Sequence, residues 1–296
     1  MNIKKHIPNV LTLANLFCGI LAIKVGFSEH YYLAGFFVVF GAIFDFFDGF
    51  AARLLKVQNE IGKQLDSLAD MVTFGVAPGV VMYSFLKFNF ITPTVLSDPW
   101  IPDYLSPRDY EAFLPFIAFL IPILSAVRLA KFNIDVKQSD KFIGFPTPAN
   151  ALFFVFIPVI YCDLFYSKTY SITDIINSGF SGQTLIITDL PDLPKIKIIF
   201  SRMMYFNFVK YTSLLLVVLL SYLLVSPIEM IALKFKTFGW KGNEIRYIFL
   251  SLCLVVILLS LLISSVFVSV PIIILLYIVL SVINNFFKKK ENELQS

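Results

Sequence analysis

Residues 45–70 read DFFDGFAARLLKVQNEIGKQLDSLAD. Asp45 and Asp48 are three residues apart and Asp66 and Asp70 four apart, so on a helix each pair shares a face. Gly49 and Ala52 continue the face of the first pair. The surroundings are apolar: YYLAGFFVVFGAIF precedes Asp45 at 31–44, and MVTFGVAPGVVMYSFL follows Asp70 at 71–86. Two acid-bearing segments thus lie in apolar runs of about 20 residues, the length that crosses a ~30 Å hydrocarbon core at 1.5 Å per residue.

The same pattern extends over the whole chain. Of its 296 residues, 58% are hydrophobic and only 15% charged, against about 25% charged in soluble domains. A water-soluble fold could not hide this much apolar surface. Eight segments read as spanning helices, approximately 7–26, 31–55, 63–87, 113–131, 147–166, 206–226, 247–266 and 268–287. The expected class is all-α, a polytopic membrane helix bundle. Loops are expected at 88–112, rich in Pro and Asp, and at 167–203, which mixes Ser, Thr, Asp and Pro with short apolar runs and could hold a strand pair or an interfacial segment. There is no internal repeat, and the first helix lacks the small-residue cleavage site of a signal peptide.

Lys and Arg give the orientation. With the N-terminus inside, sixteen of the 24 basic residues fall in cytoplasmic segments. Both termini are then expected to be cytoplasmic, in the cell (inner) membrane. The net charge of +4 reports topology and contact with membrane lipids and suggests no nucleic-acid partner. Cys18, Cys162 and Cys253 are too scattered for a metal site or a disulfide framework.

Depth brings the four acids together. Asp45 lies 14 residues past Tyr31, roughly 21 Å into its helix, while Asp66 and Asp70 lie roughly 5 and 10 Å past Lys63. All reach a similar level near the cytoplasmic side. An Asp at a helix centre costs about 2.5–3.5 kcal/mol on insertion scales, and four would repel one another. Arg53 and Lys63 are too few to compensate. Divalent metal is the economical answer, and an all-oxygen ligand set without His or Cys points to Mg²⁺ or Mn²⁺, with Ca²⁺ possible. Four carboxylates suit two ions, the arrangement that serves phosphoryl displacement. A cation transporter built on the same aspartates is the rival from another class. It leaves Gly49, Ala52 and Arg53 unexplained. Gly49, Ala52 and Gly62 let backbone approach a bulky ligand, and Arg53 can grip a phosphate with its planar fork.

The stretch fits D-x2-D-G-x2-A-R-x8-G-x3-D-x3-D through Asp45, Asp48, Gly49, Ala52, Arg53, Gly62, Asp66 and Asp70. It resembles the signature of the CDP-alcohol phosphotransferases. The resemblance implies a six-helix catalytic core, residues 1–226, with about two accessory C-terminal helices and a basic tail in 227–296. It implies a CDP-linked donor, Asp45, Asp48 and Asp66 as metal ligands, and Asp70 as metal ligand, general base or both. It places Gly49, Ala52, Arg53 and Gly62 at the CDP site, and a homodimer is plausible on the same ground. The histidines His6 and His30 sit at helix ends and offer no rival base. Thr12 and Asn15 on the first helix could reach the nucleotide or bond between helices.

Further stretches, IPNVLTLANLFCG at 7–19, LDSLADMVTFGVAPG at 65–79, RLAKFN at 128–133 and GFPTPAN at 144–150, resemble the branch of that family whose acceptor is L-serine. That likeness implies an enzyme of phospholipid biosynthesis moving a phosphatidyl group from CDP-diacylglycerol to L-serine, giving phosphatidylserine and CMP. Glycerol 3-phosphate or inositol phosphate is the alternative acceptor. Serine's carboxylate needs a cation, for which Arg128 and Lys131 at the end of helix four are the candidates, with Asn133 beside them. Thr147 is expected to cap helix five, with Pro148 as its first residue, turning free N–H groups toward an anion.

Overall fold

The computed structural model describes residues 6–57, 60–91, 109–134, 142–179, 192–231, 239–240, 243–262 and 266–295. The described residues are mostly helical. α1 (Ile7–Phe27) and α2 (Tyr31–Leu54) form a tight hairpin. α3 (Glu60–Asp70) continues through a π-helical turn, Met71–Val76, into α4 (Ala77–Ile91). Two 3-10 turns, Asp109–Ala112 and Leu114–Phe119, lead into α5 (Leu120–Ile134). α6 (Thr147–Gly179), α7 (Asp192–Val225), α8 (Glu244–Leu262) and α9 (Ser269–Gln295) complete the bundle. Among the described residues, seven helical segments are long and apolar enough to cross a membrane, and the apolar part of α6, Thr147–Asp163, is shorter. This is a multi-pass membrane protein.

Two expected loops are shorter than the sequence reading made them. α6 runs on to Gly179 and α7 begins at Asp192, so much of 167–203 is helix. Polar residues beyond the apolar core do not stop a helix, and hydropathy marks the core rather than the helix end. Residues 180–191 and 92–108 lie outside the described residues. The strand pair suggested for 167–203 falls on 185–188, outside the described residues, and among the described residues a strand pair occurs at 142–143 and 229–230. β1 (Phe142–Ile143) and β2 (Glu229–Met230) are antiparallel, with Phe142 opposite Met230 and Ile143 opposite Glu229.

Small residues set the packing around the site. A Cβ on Gly19 would stand 2.4 Å from Thr73 Oγ1 and 2.9 Å from Thr73 Cα, and one on Gly41 would stand 2.5 Å from Thr73 Cγ2. Thr73 is fully buried, and its hydroxyl donates to the Asn15 carbonyl at 3.0 Å. α1, α2 and the π turn therefore meet at backbone distance, the close approach that small residues permit in membranes. Because the Gly19 neighbour includes backbone, Gly19→Ala is expected to cost about 1–3 kcal/mol of stability, read as a lowered thermal midpoint in detergent. An unchanged midpoint would show that this junction yields.

The π turn has a local cause. Pro78 has no N–H to return to the Phe74 carbonyl, and the Ala77 N–H reaches back five residues to the Val72 carbonyl. Such turns inside α-helices are frequent at functional sites; this one begins at the residue after Asp70. At the other end of the bundle, the buried Lys210 of α7 pairs with Glu111 at 3.1 Å and lies 4.0 Å from the Phe90 ring centroid of α4.

Candidate active site

α2 and α3 bring the acidic residues to one place. Ligand oxygens of Asp45, Asp48 and Asp66 all lie within 4.8 Å of one another. Asp70 is one turn further along α3, and Asp45 neighbours both Asp66 and Asp70. α1 supplies the partners that fix two of the four. Thr12 Oγ1 donates to Asp48 Oδ2 at 2.6 Å, and Asn15 Nδ2 donates to Asp70 Oδ1 at 3.1 Å. Thr12 and Asn15 are 3% and 0% exposed, and each orients one carboxylate. That is the interhelical alternative of the sequence reading, made here to the acidic residues themselves.

The residues fit a divalent cation. Asp66 Oδ1 is buried and has no hydrogen-bond partner among the described residues. An ionised oxygen in that state is costly unless a cation meets it. The donor set is all carboxylate, which suits hard ions.

Gly49 differs from the packing glycines. A Cβ there would meet nothing within 4 Å, so no protein neighbour requires glycine at this point. Among the described residues this leaves room for a ligand to approach the α2 backbone. Arg53 stands one turn on and is exposed, with Nε donating to the Gly49 carbonyl at 2.9 Å. This bond aims the guanidinium along the same open face. Ala52 is half-buried on α2, and Gly62 is half-buried in the first turns of α3. Gly49→Ala is therefore expected to keep or slightly raise stability, since alanine favours helix by about 1 kcal/mol over glycine. If Gly49 faces the CDP-linked donor that the sequence resemblance implies, the KM for that donor should rise, by about tenfold if the methyl displaces the ligand by a bond length. Unchanged KM values would remove Gly49 from the donor site.

Arg128 is 9% exposed, and its Nη1 donates to Thr147 Oγ1 at 2.6 Å. The Thr147 hydroxyl thus holds the guanidinium. The expected cap is displaced by one residue, since α6 already includes Thr147 and its first turn closes from the Asn150 N–H to the Pro146 carbonyl at 3.0 Å. Arg128 is in electrostatic reach of Asp70. It borders a cavity of about 50 Å³ with Lys131 and Phe132 of α5, Ile143 of β1, and Leu224, Val225 and Ser226 where α7 ends. Asn133 is engaged elsewhere, donating from Nδ2 to Ser67 Oγ at 2.9 Å. It ties α5 to α3 between Asp66 and Asp70 and does not border the cavity.

Thr73, the π turn and Ser67 carry roles that the sequence reading did not assign. Pro78, four residues after Phe74, was the available signal for the π turn.

Fold and site define a class: a multi-pass membrane protein with an all-oxygen cation site at the junction of three helices. Comparison with known proteins makes this specific. The model of the CDP-alcohol phosphatidyltransferase family matches residues 5–188, and the chain belongs to that family of membrane enzymes, which depend on divalent metal. It is 34% identical over 160 residues to the CDP-diacylglycerol–serine O-phosphatidyltransferase of Bacillus subtilis, covering 53% of this chain and 77% of the relative. It is 30% identical over 250 residues to the protein of the same name from Helicobacter pylori, covering 82% and 91%. The Methanocaldococcus jannaschii protein of that name is 33% identical over 151 residues, covering 50% of this chain and 58% of the relative. Family membership leaves no support for the transporter alternative.

Proposed function

We propose that this chain transfers the phosphatidyl group of CDP-diacylglycerol to the hydroxyl of L-serine, giving phosphatidylserine and CMP. The observation that carries the reading is the convergence of Asp45, Asp48, Asp66 and Asp70 beside the open face of Gly49. The choice of serine draws support from the names of the relatives.

Asp45, Asp48 and Asp66 would hold divalent metal, Mg²⁺ or Mn²⁺, with Asp70 as base and possible further ligand. When bound, the metal offsets the charge of the pyrophosphate and of the transferring phosphoryl oxygens. Arg53, aimed by Gly49, grips the nucleotide phosphate. Asp70, oriented by Asn15, takes the proton of the serine hydroxyl. The freed oxygen attacks the phosphorus that bears diacylglycerol. The bond from that phosphorus to the bridging oxygen breaks, and the oxygen leaves with CMP. Arg128, held by Thr147, receives the serine carboxylate, and Lys131 adds positive charge at the cavity edge.

We place the reaction at the cytoplasmic face of the cell membrane, with both termini on that side, from the distribution of Lys and Arg. Residues 1–226 form the catalytic core in this reading, and a homodimer is compatible with it.

CMP release decides the matter. Purified protein is given CDP-diacylglycerol, Mn²⁺ or Mg²⁺, and L-serine, glycerol 3-phosphate, inositol phosphate or no acceptor. Release that needs both metal and L-serine is expected; release with another acceptor alone would overturn the serine assignment. Arg128→Ala should raise the serine KM by about 10- to 100-fold, the scale of a lost charge-assisted pair, and leave the CDP-lipid KM nearly unchanged. An equal rise in both would count against the carboxylate role.

A further inference from the structure

The segment after α7 is non-helical, yet it runs beside membrane-length helices. Met230 and Ile231 are 4% and 7% exposed. Irregular backbone buried within protein persists only where other groups satisfy its peptide N–H and C=O. One edge of the segment is covered by the chain entering α6. The Gly144 N–H donates to the Ile228 carbonyl at 2.9 Å, and the Phe145 N–H to the Leu223 carbonyl at 3.0 Å. Gly144 has φ +81°, and a Cβ there would stand 2.6 Å from the Leu224 carbonyl oxygen, so glycine alone fits.

The other edge is covered by α9. Tyr277 Oη donates to the Ile231 carbonyl at 3.0 Å, Ser281 Oγ accepts from the Ile231 N–H at 3.2 Å, and Asn285 Nδ2 donates to the Glu229 carbonyl at 2.7 Å. The three residues are four apart and form a single polar stripe on α9. Their neighbours Val279, Val282, Ile283 and Phe286 are exposed on faces suited to lipid. Tyr277 also packs on Phe249 of α8, with ring centroids 5.8 Å apart, and lies in electrostatic reach of Arg128.

The same segment begins with the wall of the Arg128 cavity. Leu224, Val225 and Ser226 border that cavity, and residues 228–231 are the part that α9 holds. Residues 269–295 lie beyond the stretch matched by the family, 5–188. We propose that α9 is a positioning element for the acceptor: Tyr277, Ser281 and Asn285 fix the 226–231 segment against Arg128 and thereby set acceptor affinity. The proposal rests on reading the Arg128 cavity as the acceptor site.

The test uses the full chain in nanodiscs with Mn²⁺, with L-serine and CDP-diacylglycerol varied separately. The combined variant Tyr277→Phe, Ser281→Ala, Asn285→Leu is expected to raise the serine KM by about tenfold while the CDP-lipid KM stays within about twofold. Tyr277→Phe alone loses one hydroxyl and should move the serine KM the same way by about threefold; it carries the test if the combined variant does not fold. Val282→Ala, on a lipid-exposed position, is the control and should leave both constants unchanged. A serine KM unchanged by the stripe variants but raised by Arg128→Ala would overturn the role of α9 and leave the acceptor reading standing. Equal rises in both KM values, or a fall in kcat alone, would reduce the stripe to general bracing and overturn the proposal. If Arg128→Ala itself leaves the serine KM unchanged, the acceptor reading falls and the proposal with it.

Discussion

Asp70→Asn is expected to lower turnover by ~10²–10⁴-fold, the usual worth of a general base, while CDP-diacylglycerol still binds. The substitution is close to isosteric, and the new side chain keeps an oxygen for Asn15 Nδ2, which donates to Asp70 Oδ1 at 3.1 Å. The hydrogen bond that orients the group can survive, and only the capacity to take a proton is removed. Asp70 also stands apart from the set of Asp45, Asp48 and Asp66, whose oxygens lie within 4.8 Å of one another. The measurement is metal-dependent CMP release beside equilibrium binding of CDP-diacylglycerol. Normal turnover would rule out Asp70 as the base. Loss of binding together with turnover would instead make it chiefly a ligand holder.

Asp66→Ala should have the other large effect, with opposite signs in two assays. Activity and metal response should both be lost, because one of three clustered ligands is gone and its Oδ1 has no other partner. Stability of the metal-free protein should rise. Without a cation the clustered carboxylates repel one another, and a buried unpaired polar oxygen costs about 1–3 kcal/mol. Thermal unfolding with and without Mn²⁺ reads both consequences. The native chain should gain a higher midpoint with metal, and the variant should start higher and gain nothing. A variant that is still stabilised by Mn²⁺ would show that Asp66 is dispensable for binding the ion.

Much of this was readable from residues alone, for identifiable reasons. A spanning helix must be apolar over a fixed length, so hydropathy placed α1 and α2 almost to the residue. The aspartates stood out because intramembrane acids are costly and seldom kept without a purpose. Helix ends outside the apolar core were less legible, as α6 and α7 demonstrate, since water and headgroups tolerate either helix or loop. Thr12 and Asn15 were visible as polar residues, but only packing reveals that they bond to Asp48 and Asp70. The π turn depends on Pro78 and on the crowding of Gly19 and Gly41 against Thr73, two effects that act between helices. The two-residue strands are too short for any alternation to register. The polar stripe of α9 passes unnoticed in sequence because three polar residues scattered through an apolar run look like ordinary dilution.

The residues around the candidate reaction are segregated along the chain. Everything assigned to the donor and the metal lies between Thr12 and Asp70, on the first three helices. The Arg128 cavity is lined by Arg128, Lys131, Phe132, Ile143 and residues 224–226, with Thr147 holding Arg128 and α9 behind the wall. Such a division makes the chain modular for redesign. An engineer who wanted a different alcohol at the acceptor end would alter the cavity wall and its support and leave the first three helices untouched, and a lineage drifting toward a new headgroup would meet the same easy path.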